Sequence, residues 1–188
     1  MSAERLTILA VATEWDSKHG GLSTFNRDLC TALAQCEGVT VFCAVPALEV
    51  DEVERARQVG VQLVAAVSVP GVTELQALEG PLQGISEPVH VVIGHGRISG
   101  PAALAQVTDH FPGAAYVHFL HMDPSAIESH KDHAGDGPAV TADQRVDLEL
   151  KLGRQARLIF AVGPELQARY SVYFHPDQLP GTGGSSQA

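Results

Sequence analysis

The chain is poor in positive charge. It has 12 Lys and Arg residues against 22 Asp and Glu among 188, a formal net charge of -10. No basic run occurs, which argues against a nucleic acid or an anionic membrane as partner, since both need clustered cations. Cysteine is scarce and odd in number: Cys30, Cys36 and Cys43. There is no CxxC pair, so the spacings argue against a zinc site and fit reduced, buried thiols in a cytoplasmic protein. Long apolar runs are absent. The first residues, MSAERLTILAVATEW, are too short in apolar character for a signal peptide, and nothing approaches a membrane span. The Walker pattern GxxxxGK[ST] is also missing, and there are no internal repeats.

What is present suits one domain. At 45% hydrophobic residues, 188 residues suffice for one complete core and are too few for two large ones. We expect that domain over 1–178. The Pro-, Gly- and Ser-rich end, 179–188, reads as a flexible tail or the start of a linker.

Apolar runs recur along the chain with helical or loop segments between them. They are Ile8–Val11, Val39–Val45, Val61–Val67, Val89–Ile93, Ala114–Leu120 and Leu158–Val162. The runs are continuous rather than alternating, which predicts strands buried on both faces. The segments between them predict helices from Leu22, over Val53–Val59, within Gly71–Gly84, over Pro101–Val107, over about Ala142–Ala156, and from Pro164 to about Tyr173. This alternation predicts an α/β fold: a Rossmann-like, doubly wound, mostly parallel sheet of about six strands. Ligands of such sheets bind beyond the carboxyl ends of the strands. Residues just after strands therefore carry functional weight: Glu14–Gly21, Gly94–Arg97, His118–Asp123 and Gly163-Pro164.

The first candidate is Gly20-Gly21 with Leu22 and Ser23, between a strand and an amphipathic helix that carries Phe25, Leu29, Leu33 and Ala34 on one side. Two glycines fit a tight turn needing positive φ, and they also fit a phosphate cradle at a helix N-terminus. Ser23 or Thr24 would cap that helix or donate to the anion. Glu14, Asp16, Lys18 and His19 would line a cleft or be solvated. The second candidate, Gly94-His95-Gly96-Arg97-Ile98-Ser99-Gly100, imitates a dinucleotide fingerprint. It lies outside the first βα unit, however, and the following strand ends in histidines rather than an acid. The third is His118 to Asp123. Residues three apart along a strand point to opposite faces, so His118 and His121 make no simple metal pair. His118 fits a core histidine. His121, at the strand end, with Asp123, supplies a base or an orienting pair. His130 and His133 fall in a polar surface loop. Glu149, Lys151 and Arg154 read as a solvated helix face.

These pieces in this order resemble the N-terminal half of GT-B glycosyltransferases, in the large retaining family 4 that includes glycogen synthase, sucrose-phosphate synthase and mycothiol glycosyltransferase. The resembling residues are Lys18-His19-Gly20-Gly21-Leu22-Ser23, Gly94-His95-Gly96, Val117-His118-Phe119-Leu120-His121, and Glu149 followed by Leu158-Ile159-Phe160-Ala161-Val162-Gly163-Pro164. The resemblance implies that Gly20, Gly21, Leu22 and Ser23 lie against the diphosphate of a nucleotide-sugar donor, a UDP- or GDP-sugar. It places His121 by the transferred sugar as the catalytic position. His95, Gly96, Arg97, Asp123 and Lys131 fall on the acceptor side. No metal or other cofactor is required. The family's second half, with its Arg/Lys diphosphate clamp and E-x7-E element, is missing. Glu79 and Glu87 have that spacing but lie before a strand in the wrong half.

Three readings follow: an acceptor-side domain that needs a donor-binding half to transfer sugar; a non-catalytic ligand-sensing or partner-binding module of the same shape; and a Rossmann or flavodoxin-like nucleotide-dependent enzyme. The partners implied are a nucleotide sugar, a small-molecule acceptor, and a C-terminal donor-binding domain or a second copy of the chain.

Overall fold

A computed structural model describes residues 5–16, 20–67, 70–122 and 142–174. Six parallel strands form one sheet in the order β3-β2-β1-β4-β5-β6. They are β1 (Leu6–Val11), β2 (Val39–Ala44), β3 (Val61–Val64), β4 (Val91–His95), β5 (Ala115–Leu120) and β6 (Leu158–Ala161). The helices are α1 (Gly21–Ala34), α2 (Val50–Gln58), α3 (Glu74–Ala77), α4 (Gly96–Ala105), α5 (Ala142–Gln155) and α6 (Pro164–Phe174). A π-helical turn, Gln106–His110, continues α4. The expected doubly wound α/β architecture is therefore present, with all pairings parallel.

Burial follows the continuous apolar runs. From Ile8 to Ala12 every residue is buried, because successive side chains of β1 enter two different cores. Ile8, Ala10 and Ala12 meet α1 and α2, together with Trp15 and Cys30. Leu9 and Val11 meet the opposite layer with Leu78, Ala102, Ala103 and Tyr116. A third cluster joins Leu120 to Leu150 of α5 and Tyr170 of α6. Helices α1 and α2 thus cover one face of the sheet, and α3 to α6 the other.

Several local expectations need correction. β6 is an edge strand with Leu158 and Phe160 about half exposed, so it is not buried on both faces. The strand expected over Val61–Val67 stops at Val64. Helix α4 starts at Gly96, five residues before Pro101, so that Pro101 lies inside it. At its start the His95 N–H donates to the Ser99 hydroxyl, and the Arg97 N–H is met by a group from α5, as shown below. Cys30 and Cys43 are buried free thiols as expected, but Cys36 is exposed. The tail beyond Phe174 lies outside the described residues.

Candidate active site

The strand order reverses between β1 and β4, which leave opposite helices at the switch point. Their carboxyl ends, with that of β5, open a cleft of about 360 Å³ lined by Gly21, Leu22, His95, Gly96, Arg97, Ile98, His121, Met122 and Glu149. Gly21, Leu22, His95, Gly96, Arg97 and His121, all singled out in the sequence, meet here. Gly20 adjoins the cleft at φ 142 and ψ -173, a backbone conformation essentially restricted to glycine. Lys18, His19, Asp123, His130, Lys131 and His133 lie outside the described residues.

The loop after β1 is held from two sides. Trp15, 1% exposed, anchors it in the core. The Ser23 hydroxyl donates to Glu14 Oε1 at 2.7 Å. No side chain caps α1, so Ser23 is committed to the loop rather than to the helix start. Asp16 pairs with Arg55 of α2.

Two polar networks flank the cleft, one on each face of the sheet, as the three-residue spacing of His118 and His121 requires. On the α5 side, His118 is fully buried. Its Nδ1 lies 2.7 Å from the Tyr116 hydroxyl, and its Nε2 donates to Glu149 Oε2 at 3.0 Å. The other carboxylate oxygen, Oε1, accepts from the backbone N–H of Arg97 at 2.7 Å. Glu149 is 5% exposed. The expectation that Glu149 belongs to a solvated face is therefore wrong, although Lys151 and Arg154 are exposed. Its carboxylate meets the positive end of α4 and satisfies one of the orphan N–H groups there. Burial, helped by the Glu149 charge, pushes the Tyr116 phenol well above its usual range.

On the α1 side, His95 Nδ1 lies 3.0 Å from His121 Nε2, and His95 Nε2 lies 2.8 Å from Asn26 Oδ1. Phe25 sets its ring edge-on against both imidazoles, at centroid distances of 6.0 and 4.8 Å. Burial lowers the pKa of His95 to about 3, with the neighbouring His121 and His118 adding to the effect. Burial likewise lowers that of His121 to about 4, against the opposing pull of Glu149. Both rings are therefore neutral at pH 7.

The glycines of the fingerprint-like stretch have packing roles. A Cβ on Gly94 would lie 2.7 Å from the Ala103 Cβ, and one on Gly100 2.9 Å from Leu152 Cδ1. Gly96 has φ +48, and a Cβ there would lie 2.9 Å from Glu149 Oε1. Glu79 and Glu87 keep away from the cleft: the Glu87 carboxylate accepts from the Thr7 hydroxyl at the amino end of the sheet.

The profile of a family described as "Family 4 Glycosyltransferase in conflict systems" matches residues 9–181. The chain belongs to this glycosyltransferase family. The match runs from β1 past α6 and so takes in every strand that contributes to the cleft. No curated protein matches the chain. Within this family 4 glycosyltransferase domain, the residues that the sequence pattern did not single out are Asn26, the buried partner of His95, and Glu149 in its capping role. Asn26 did leave a trace: it lies four residues from both Leu22 and Cys30, a polar residue in the stripe Ser23, Asn26, Cys30 that α1 buries most deeply. Phe25, Leu29, Leu33 and Ala34, expected to lead that face, are only partly buried beside it.

Proposed function

We propose that the chain is the acceptor-side domain of a retaining glycosyltransferase, moving a sugar from a UDP- or GDP-sugar to a small acceptor once a donor-binding half closes the cleft. The observation that carries this reading is the meeting of Gly21, His95, Gly96, Arg97 and His121 at the switch point of a family 4 glycosyltransferase domain. In this reading Gly20 and Gly21 let the donor diphosphate approach the start of α1, where backbone N–H groups and the helix dipole favour negative charge. His121 stands beside the transferred sugar. His95 supports it from below, and Gly96 and Arg97 face the acceptor, with Asp123 and Lys131 on that side. The bond from the anomeric carbon to the diphosphate oxygen breaks, the acceptor's hydroxyl oxygen bonds to that carbon on the same face, and the hydroxyl proton leaves with the departing diphosphate. No metal ion is required: the diphosphate clamp would come from the second half.

An open cleft neither positions two substrates nor excludes water, and these contributions make up much of the rate enhancement in such chemistry. The chain by itself is therefore expected to bind donor weakly and to turn over little. Calorimetric titration of the 188-residue chain with UDP- and GDP-sugars and with the free nucleotides tests this directly. Saturable heat with one sugar nucleotide supports the reading. Silence across the panel for the chain and for its complex with a donor-binding half overturns it. A second reading, a non-catalytic sensing or partner-binding module, is favoured by the family's placement in conflict systems. Binding of a sugar nucleotide without transfer in the completed assembly would select it.

A further inference from the structure

Asn26 is 1% exposed, on the face of α1 that enters the core. Its carboxamide sits between three polar neighbours. Nδ2 donates to Cys43 Sγ at 3.4 Å, while Oδ1 receives the Cys30 thiol at 3.8 Å and His95 Nε2 at 2.8 Å. A neutral imidazole carries one donor and one acceptor nitrogen. With Oδ1 as acceptor, His95 must carry its proton on Nε2, and its Nδ1 is then an acceptor. The nitrogen facing that Nδ1 at 3.0 Å is His121 Nε2. It must donate, so the second ring nitrogen of His121, Nδ1, is left without a proton. Among the described residues that nitrogen has no hydrogen-bond partner, and the His121 ring lines the cleft.

We propose that Asn26 is a positioning residue: through His95 it holds His121 in the Nε2-protonated form, so that the cleft receives a bare Nδ1 that accepts a hydrogen bond from a sugar hydroxyl. A protonated imidazole in the same place would instead attract phosphate. The low pKa values of both rings agree with this, because each must stay neutral for the relay to hold its direction. The Phe25 ring leaves the pair little room to turn. The ligand chemistry rests on the glycosyltransferase reading; the tautomer assignment does not.

The test is nitrogen-15 NMR of the full chain with labelled histidine, in the absence of substrate, with signals assigned from His95→Gln and His121→Gln variants. The expected result is Nε2 protonation in both rings. Asn26→Asp, which keeps an acceptor oxygen but adds a charge, should keep the proton on His95 Nε2 and raise the pKa of that ring. Asn26→Leu, which removes that oxygen, should let both rings exchange between tautomers while the amide spectrum stays that of a folded chain. A proton on His121 Nδ1 in the wild-type chain overturns the proposal. So does an unchanged pattern in a folded Asn26→Leu chain. Failure of the functional reading looks different: the tautomers are as expected, and no sugar nucleotide binds in the calorimeter.

Discussion

His121, Glu149 and His95 do three different things with buried polarity. His121 is partly buried at the cleft, and its ring contacts are with His95, Phe25 and Phe119. His121→Ala should abolish sugar transfer in an enzyme completed by its donor-binding half and leave the chain folded, at a cost of about 1–3 kcal/mol because the buried His95 Nδ1 loses its donor, which activity assays and urea melts together would check. Unchanged turnover would remove His121 from the mechanism. Glu149 is bound into the framework. Glu149→Ala strands the Arg97 N–H and the His118 Nε2 proton at once, and should cost roughly 3 kcal/mol in urea denaturation; Glu149→Gln, which keeps the shape and one acceptor, should cost less. His95 shapes the acid response. A histidine that is neutral in the fold, with a pKa lowered to about 3 from 6.5, takes up a proton more readily once the chain unfolds. Its neutrality costs nothing above the unfolded pKa, and stability falls as pH drops below about 6.5, continuing toward the folded value. The decline should reach about 1.4 kcal/mol per pH unit for that ring. His95→Gln should flatten this part of the pH profile of chemical denaturation. Much of this was legible at the level of position, since His95 and His121 stood out for following strands. The buried partners were not, because Asn26 lies 69 residues from His95 and Glu149 lies 31 residues from His118, and nothing local marks a long-range hydrogen bond.

Among the elements, α4 shows most clearly what local pattern reveals and hides. The sequence pattern predicts this helix over Pro101–Val107, after the glycine-rich stretch that follows β4. The helix in fact leaves β4 immediately, at Gly96, and the Arg97 N–H in its first turn is met by the Glu149 carboxylate from α5. The same closeness explains the glycine spacing. Gly94→Ala should lower stability by about 1–3 kcal/mol through overpacking, because its new methyl would press on the Ala103 Cβ and the Gly100 Cα, neither of which can rotate away. A shift of the urea midpoint with an unchanged slope would support this account. An unaltered midpoint would mean that α4 floats more freely on the sheet than its packing indicates. A dinucleotide fingerprint is thus unnecessary to account for these glycines.

Across the whole molecule, the sheet has a protected centre and a weak edge. β1 is buried on both faces and paired on both sides, whereas β6 pairs only with β5 among the described residues and leaves Leu158 and Phe160 half exposed. Amide hydrogen exchange should accordingly be slowest in β1 and β4 and faster in β6 by orders of magnitude, reporting local opening at the edge before global unfolding. Uniform protection across all six strands would contradict that gradient.

The sequence by itself determined the class of fold, because continuous apolar runs separated by amphipathic helices have few solutions other than a covered parallel sheet. It also determined which loops gather at the carboxyl edge of the sheet, since chain direction in a parallel sheet brings every strand end to one side. The tertiary structure alone decided which of those loops share a cleft, that His95 leans on His121 rather than standing free, and that Glu149 is buried beneath the site. Such pairings depend on strand order and close packing between residues distant in sequence, where a hydrogen bond of 3 Å is set by the whole fold and leaves no periodic mark on the chain.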